Sequence, residues 1–191
     1  CYNNKLTTLE GCPKKVGENF DCYNNQLTSL KGCPEKINDN FKCSTNNLNS
    51  LEGAPKEVGG TFYCMTNKLS NLKGAPKKIG GVFYCQHNQL TSLEGCPQFM
   101  IEVDCSDNKL ANLKGGPNEI EDDFNCSRNY LTSLEGSPEK VGGVFDCTEN
   151  DLTSLEGSPK EAAHFYVRDN SMIFTQEDVK KVCKVTGNIV V

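Results

Sequence analysis

The chain has 191 residues, 36% of them hydrophobic, and a formal net charge of −5 at pH 7. This acidic balance argues against a general nucleic-acid-binding surface, which would be rich in lysine and arginine. No apolar run approaches the roughly 20 residues that a membrane span requires.

One pattern, Phe-x-Cys-x-x-Asn-x-Leu-x-x-Leu, recurs along residues 1–172 with a period of 21 residues. The period falls to 20 before Val103 and before Phe165, where one residue is missing. Such a repeat predicts one elongated stack of similar coils instead of separate globular domains. We expect a solenoid of about nine coils over residues 1–172, with a missing N-terminal cap.

Each coil is predicted to begin with a short strand, because Phe-x-Cys alternates inward and outward side chains. The Asn that follows suits a turn, since its side chain can bond backbone groups. Leu-x-x-Leu directs two more groups inward, and a glycine with positive φ leads into an extended return that contains proline. The inward ladders are Phe20, Phe41, Phe62, Phe83, Val103, Phe124, Phe145 and Phe165; Cys1 to Cys147 with Val167; Asn4 to Asn170; and Leu6 to Leu152 with Met172.

The twelve cysteines raise the question of disulfides. Stacked strands would place equivalent cysteines about 4.8 Å apart with parallel Cβ directions, whereas a disulfide needs Cβ atoms turned toward each other. Reduced core thiols are therefore the favoured interpretation, with disulfide or metal chemistry as the alternative. They indicate a cytoplasmic or other reducing compartment, and secretion into a host cell is left open. The cysteines at the inward strand position are Cys22, Cys43, Cys64, Cys85, Cys105, Cys126 and Cys147.

The pattern stops after residue 172, and residues 173–191 are predicted to form a C-terminal cap. A helix is expected at about 176–185, with Thr175 as its N-cap and acidic residues in its first turn. A final short strand is expected at 189–191. The apolar face of the helix would comprise Val179, Val182 and Cys183.

A charge ladder precedes the turn glycines and supports stacking. Its sign alternates from coil to coil until the last step, so neighbouring coils would place opposite charges side by side. Each such exposed pair contributes less than about 1 kcal/mol. The ladder is Glu10, Lys31, Glu52, Lys73, Glu94, Lys114, Glu135 and Glu156.

Residues 1–172 resemble leucine-rich repeat proteins, whose frame is L-x-x-L-x-L-x-x-N-x-L. In one coil that frame is represented by Phe83, Cys85, Asn88 and Leu90. The segment Leu90–Pro97 is similar to the short, proline-bearing repeats of bacterial effectors and of related bacterial and phage proteins. The chain departs from the frame in having Phe and Cys for Leu, and Gly59, Gly80 and Gly142 at the first apolar position. The resemblance implies an α/β repeat solenoid, mostly strand and loop, with protein binding on a concave parallel sheet.

Function is expected at the outward strand positions, because these vary between coils. An aromatic and aliphatic centre there is predicted to form an interface, beside an acidic stretch that would meet a basic region of a protein partner. The alternative is that these residues serve strand propensity and cross-strand packing. The candidate protein-binding residues are Tyr23, Lys42, Tyr63, Met65, Val82, Tyr84, Gln86, His87, Glu102, Asp104, Asp123 and Asp146.

Catalysis has little support in the sequence. The only histidines, His87 and His164, lie about four coils apart, so no Cys–His or Ser–His pair is expected. Acidic pairs such as Asp104 and Asp123 could do acid–base work or hold Ca²⁺, but solvated carboxylates are the alternative. Cys183 lacks a nearby histidine and is predicted to be buried instead of nucleophilic.

The predicted function is therefore a non-enzymatic protein-interaction scaffold without cofactor or metal. A structural or virion-assembly component is the first alternative, and a carbohydrate or small-ligand binder is the second. No nucleic-acid or membrane partner is expected, and the oligomeric state is left open.

Overall fold

Most coils contribute one or two short parallel strands to the stack. The computed structural model describes residues 1–191 and contains fourteen strands and one helix. In chain order these are β1 (Phe20–Asp21), β2 (Lys36–Ile37), β3 (Phe41–Lys42), β4 (Glu57–Val58), β5 (Phe62–Tyr63), β6 (Lys78–Ile79), β7 (Val82–Tyr84), β8 (Glu102–Asp104), β9 (Glu119–Ile120), β10 (Phe124–Asn125), β11 (Lys140–Asp146), β12 (Glu161–Tyr166), α1 (Gln176–Val182), β13 (Lys184–Val185) and β14 (Ile189–Val190).

The Phe-x-Cys strands form the main sheet, which runs β1-β3-β5-β7-β8-β10-β11-β12 in parallel. Each phenylalanine pairs with its counterpart in the next coil, as Phe41 does with Phe62. The rings stack inside, with the centroids of these two 5.3 Å apart. This arrangement confirms the predicted leucine-rich repeat solenoid. The first coil, at Cys1, contributes no assigned strand, and β14 of the cap extends the main sheet beyond β12.

One core of 43 buried residues runs through the stack. All twelve cysteines are free, and those at the inward strand position are buried. Their thiols donate to main-chain carbonyls of the next coil, as Cys43 Sγ does to Tyr63 O at 3.3 Å. Each buried thiol thus adds a weak hydrogen bond between coils to its packing.

Three residues at the ends of the inward ladders were expected in the core and are exposed. Cys1 and Leu6, in the first coil of the stack, are exposed. Met172 is 48% exposed, because the cap packs Phe174 and Val179 against the last coil in its place.

The asparagine ladder joins each coil to the one before it. Asn88 Nδ2 donates to the carbonyls of Cys85 and Gln86 in its own coil and to Cys64 O of the previous coil, at 3.1, 3.3 and 3.1 Å. Its Oδ1 accepts from the Leu69 N–H at 3.1 Å. The turn role was predicted from the sequence, whereas the bonds between coils were not.

Two residues in most coils adopt positive φ. The turn glycines do so as predicted, for example Gly95 at φ 90°. The residue before each ladder asparagine also does so, which the sequence analysis did not anticipate, and in two coils it is a β-branched threonine. These residues are Asn3, Asn24, Thr45, Thr66, His87, Asp107, Arg128, Glu149 and Asp169.

A second row of strands lies along the returns, which the sequence predicted to be extended without assigning strands to them. It comprises the sheet β2-β4-β6 and the pairings of β9, β11, β12 and β13. The backbones approach so closely that a Cβ on Gly80 would overlap the carbonyl oxygen of Gly59. This contact explains the glycines that depart from the repeat frame. We call the outward surface of this row the lateral face.

Ion pairs join neighbouring coils on two exposed ladders. In the predicted ladder, Lys73 pairs with Glu94 at 3.2 Å and Lys114 with Glu135 at 2.9 Å. The second ladder follows the lateral face, where Lys36 Nζ lies 3.0 Å from Glu57. These pairs favour the register of the stack but contribute little each, because they are well exposed.

The C-terminal segment folds as one short helix and two strands. Thr175 caps α1 in a capping box with Asp178, which confirms the predicted N-cap. The helix ends at Val182 and does not reach the predicted 185, because Cys183 is extended at φ −136° and leads into β13. Val182 is consequently 41% exposed and not part of the apolar face, while Val179 and Cys183 are buried. The last strand is Ile189–Val190, within the predicted 189–191.

Candidate protein-binding face

The outward side of the main sheet carries the candidate residues, and we call it the strand face. Its central row follows the register of the sheet, so that residues equivalent in the repeat are neighbours in space. Phe and Cys face the core on either side of each central residue, which leaves the central residue half-buried. The central row runs Asp21, Lys42, Tyr63, Tyr84, Asp104, Asn125, Asp146 and Tyr166.

Two tyrosines form the centre of this face. The rings of Tyr63 and Tyr84 are stacked with centroids 5.2 Å apart and planes 26° apart. Lys42 Nζ lies 5.6 Å from the centroid of the Tyr63 ring, within the range of a cation–π interaction. Val82 lies on β7 with Tyr84, and Met65 follows the end of β5, two residues after Tyr63. Both side chains are half-buried. The structure therefore brings together the four residues predicted to form an aromatic and aliphatic cluster.

Gln86 and His87 follow the end of β7, two and three residues after Tyr84. Gln86 is half-buried, and its Oε1 is enclosed without a hydrogen-bond partner. His87 is exposed, with Nδ1 3.7 Å from Asp107 Oδ2. Arg128 approaches the same carboxylate at 3.8 Å and bonds Glu149 at 3.1 Å. A row of alternating charge therefore borders the cluster on this side.

Three carboxylates of the predicted acidic stretch accept hydrogen bonds from backbone N–H groups. Asp104 Oδ1 accepts from the N–H and the hydroxyl of Ser106, at 3.0 and 2.6 Å. Asp146 accepts from the Thr148 N–H at 3.0 Å, and Asp123 from the Val144 N–H at 2.6 Å. These bonds hold the carboxylates in place and leave the second oxygen of each available.

The pKa directions show that negative charge accumulates beside Tyr84. Burial raises the pKa of Glu102, and repulsion from Asp123, Asp122 and Asp104 raises it further. Burial and then the charge of Glu102 likewise raise the pKa of the Tyr84 hydroxyl. The ion pairs on this face lie at Asp107 and Glu149, one row away. The carboxylates beside the tyrosine pair therefore have no cationic partner within the chain.

The position directly after each strand cysteine is more enclosed than predicted. It was expected to face solvent, yet its small residues are buried and only its larger ones emerge, as Tyr23 does. The hydroxyls of Ser106 and Ser127 donate to the central side chains Asp104 and Asn125, at 2.6 and 2.7 Å. Ser44 follows Lys42 instead, so its hydroxyl has no partner. The buried members are Ser44, Ser106, Ser127 and Thr148.

The candidate residues do not form one compact site. Lys42, Tyr63, Tyr84 and Asp104 occupy consecutive strands, with Glu102 on the same strand as Asp104. Asp146 lies two strands beyond Asp104. The repeat register predicted the strand position of each of them, but not the stacking of the tyrosine rings or the hydrogen bonds that fix the carboxylates.

The structure contains no arrangement suited to nucleophilic or metal chemistry among its cysteines. Burial raises the pKa of the Cys96 thiol to about 12 and that of Cys183 to about 11, which disfavours the reactive thiolate. No group of three or more His, Cys, Asp or Glu side chains is placed to hold a metal ion. No helix has the length and apolar character needed to cross a bilayer.

Comparison with known proteins adds one structural similarity. No protein-family model matches the sequence, and no curated protein matches it. Among solved structures, the chain is similar to YopM from Yersinia enterocolitica WA-314, with 20% sequence identity and a TM-score of 0.45. The match covers 88% of this chain and 50% of that chain, so the present chain spans about half of the YopM structure. The fold described above follows from the strand pairing of this chain itself.

Proposed function

We propose that this leucine-rich repeat solenoid is a scaffold that binds a partner protein through its strand face. The observation that carries the proposal is the stacked pair Tyr63–Tyr84, which presents aromatic surface on a sheet face open to solvent. Met65 and Val82 widen this surface. Aromatic side chains in such settings dominate the energy of protein interfaces, because they bury a large area at little cost in side-chain entropy.

The chemistry beside the tyrosines indicates what the partner presents. Glu102, Asp104 and Asp123 place negative charge next to the rings without a cation to balance it. A lysine or arginine of the partner would relieve the mutual repulsion and could also lie over the Tyr84 ring. We therefore propose a partner segment with an apolar group flanked by basic residues.

The proposed role is non-catalytic. Burial raises the pKa of the core thiols, and the two histidines lie on separate parts of the stack. Free thiols in the core suit a cytoplasmic or other reducing compartment, which we propose as the setting of this protein.

The test is capture of partners by the immobilised chain, with identification by mass spectrometry. The Tyr63→Glu/Tyr84→Glu double variant should lose the captured partner, because two carboxylates replace the apolar centre. Tyr130→Glu is the matched control, since Tyr130 is exposed outside the central row and its replacement should leave capture intact. Equal capture by the double variant and the parent would refute the strand-face proposal. Raising the salt concentration should weaken binding if the acidic stretch takes part.

A further inference from the structure

The coil that contains Gln98–Glu102 departs most from the repeat, and it does so on the lateral face. Ile101 N–H bonds Gly81 O, and Asp122 N–H bonds Ile101 O, so Ile101 is equivalent to Gly81 and the residue equivalent to Gly80 is missing. The second row of strands is interrupted here, between β6 and β9. An open cavity of about 1030 Å³ lies at the interruption.

The same coil carries apolar residues where its neighbours carry charges. The two lateral positions after the buried proline hold lysine or glutamate in most coils, but Gln98 and Phe99 occupy them here. Phe99 is 68% exposed and Ile101 is 38% exposed, and both border the cavity. We call Gln98, Phe99, Met100 and Ile101 with this cavity the lateral patch.

The other short coil is closed by the cap. The coil before Phe165 also lacks one residue, and there the N–H groups of Thr186 and Gly187 donate to the carbonyls of Ala162 and Ala163, at 3.3 and 2.7 Å. At the lateral patch only the second of these bonds has an equivalent, from Asp122 N–H to Ile101 O at 3.0 Å, and no backbone N–H donates to Met100 O.

The charges around the lateral patch lack partners within the chain. Farther out, lateral charges pair between coils, as Glu35 does with Lys56 and Glu139 with Lys160. The ion pairs of the lateral face do not include the charges next to the patch. These are Lys77 and Lys78 on the coil before it, Glu119 and Glu121 on the coil after it, and Lys140 one coil farther.

The charge sequence along the lateral face is antisymmetric about the patch. Counting outward from Phe99, Lys78 corresponds to Glu119 and Glu57 to Lys140. At the preceding position of each coil, Lys56 corresponds to Glu139 and Glu35 to Lys160, and Lys77 corresponds to the neutral Asn118. A strictly alternating ladder would instead be symmetric about its centre. In the row of Phe99 the antisymmetry arises because Phe99 interrupts the alternation between Lys78 and Glu119. In the preceding row it arises because Lys56 and Lys77 are both positive.

We propose that a second copy of this chain docks on the lateral patch, in a dimer whose two-fold axis runs across the stack at Phe99. This axis reverses the order of the coils, so each coil before the patch faces the corresponding coil after it. Opposite charges then meet on both sides of the axis, with Lys77 facing the neutral Asn118, and the two Phe99 side chains meet at the axis beside the two cavities. A two-fold interface requires such a self-complementary surface. The proposal does not depend on the strand face.

Sedimentation analysis of the intact chain, from low-micromolar to submillimolar concentration, tests the dimer. The parent should show a concentration-dependent shift from monomer to dimer, and Phe99→Glu should weaken it about tenfold or more. Ile173→Glu is the control, because Ile173 is 92% exposed on the cap and away from the patch. Tyr63→Glu/Tyr84→Glu should dimerise like the parent, which separates this proposal from partner binding.

Charge reversal tests the position of the axis. Lys78→Glu and Glu119→Lys should each weaken self-association. In either variant, position 78 of each copy would face position 119 of the other with a charge of the same sign, and the symmetric dimer contains this contact twice. Mixed in equal amounts, the two variants should associate again, since every contact then joins opposite charges. Melting curves verify that both variants are folded. A parent that stays monomeric, a dimer that survives Phe99→Glu, or a mixture that fails to associate would each overturn the proposal.

Discussion

The side chain of one ladder asparagine, Asn88, makes four hydrogen bonds, two within its own coil and two to the coil before it. Asn88 is buried, so each of its bonds replaces contact with water that the turn cannot make. The residue before it, His87, has φ 54°, a conformation that the bonds of the following asparagine help to hold. The fold therefore constrains the identity of the side chain at Asn88, whereas at His87 it constrains only the backbone conformation.

Replacing Asn88 by alanine should lower the free energy of unfolding by about 1–3 kcal/mol, because the Leu69 N–H and the cysteine carbonyls lose their partner. Chemical denaturation measures the change. Asn49→Ala is the control, since Asn49 is exposed, and it should have little effect. Equal stability of Asn88→Ala and the parent would contradict the proposed role of the ladder.

At the scale of single residues, the sequence predicted which side chains face inward, because the repeat period determines this directly. It did not predict the positive φ before each asparagine. Asn and Asp at Asn24 and Asp107 were the available signal, since these residue types tolerate that conformation. The signal was not consistent along the chain, because the equivalent position holds threonine at Thr45 and Thr66.

Among the elements, the helix α1 depends most on its first turn. Thr175 and Asp178 cap each other, with Thr175 Oγ1 donating to Asp178 Oδ2 at 2.7 Å. The cap makes a seven-residue helix possible where propensity alone would not suffice. The sequence predicted the start of this helix better than its end, because an N-cap has a local signature and the extended Cys183 is determined by packing.

The cap should give the protein a pH dependence. The hydrogen bond from the Thr175 side chain, followed by that from Lys181, lowers the pKa of Asp178 from 3.8 to about 2. A lowered pKa means that the carboxylate stabilises the folded state above pH 3.8 and that this contribution is lost as the pH falls toward 2. Asp178→Asn should therefore melt below the parent at pH 7.

Thermal melting of the parent and of Asp178→Asn across the acidic range measures this effect. The difference between them should be constant above about pH 4 and disappear near pH 2. Glu177→Gln is a comparison variant, because Glu177 pairs only with Lys180 on the surface. A difference that persists undiminished at pH 2 would show that Asp178 acts other than through its charge.

Across the whole molecule, one missing residue alters the lateral face without disturbing the main sheet. Val82, Phe83 and Tyr84 keep full register with β8 past the short coil. The gap also accounts for Glu121 where other coils have glycine. A Cβ on Gly80 would meet the carbonyl of the equivalent residue one coil earlier, Gly59, and for Glu121 that equivalent residue is the missing one. In the next coil glycine returns, because a Cβ on Gly142 would overlap Glu121 O.

Restoring the missing residue should show that its absence and the presence of Glu121 are energetically coupled. A glycine inserted between Met100 and Ile101 should destabilise the protein by about 1–3 kcal/mol, because its carbonyl would meet the Cβ of Glu121. Adding Glu121→Gly should recover much of that loss by removing the Cβ. Denaturant midpoints of the parent, both single changes and the combination give the coupling energy. Strictly additive effects would contradict the explanation.

At this scale the sequence predicted the stack, its parallel sheet and the location of the candidate strand face. The repeat supplies these because each coil contacts only its neighbours. The lateral strands were not predicted, since residues such as Lys78 and Ile79 show too short a pattern to identify a strand. In the sequence, the lateral patch showed only as a missing residue. Its open cavity could not be predicted, because it depends on how the neighbouring coils pack around the gap.

The asparagine ladder also has a direction. Every ladder asparagine from Asn25 to Asn170 reaches back to the coil before it, as Asn88 reaches to Leu69 and Cys64, so a coil's own turn is completed by residues that come later in the chain. During synthesis on the ribosome, a newly emerged coil therefore holds an unsatisfied turn until its successor follows. We therefore expect the stack to assemble in the order of translation, with each new coil completing the turn of the previous one.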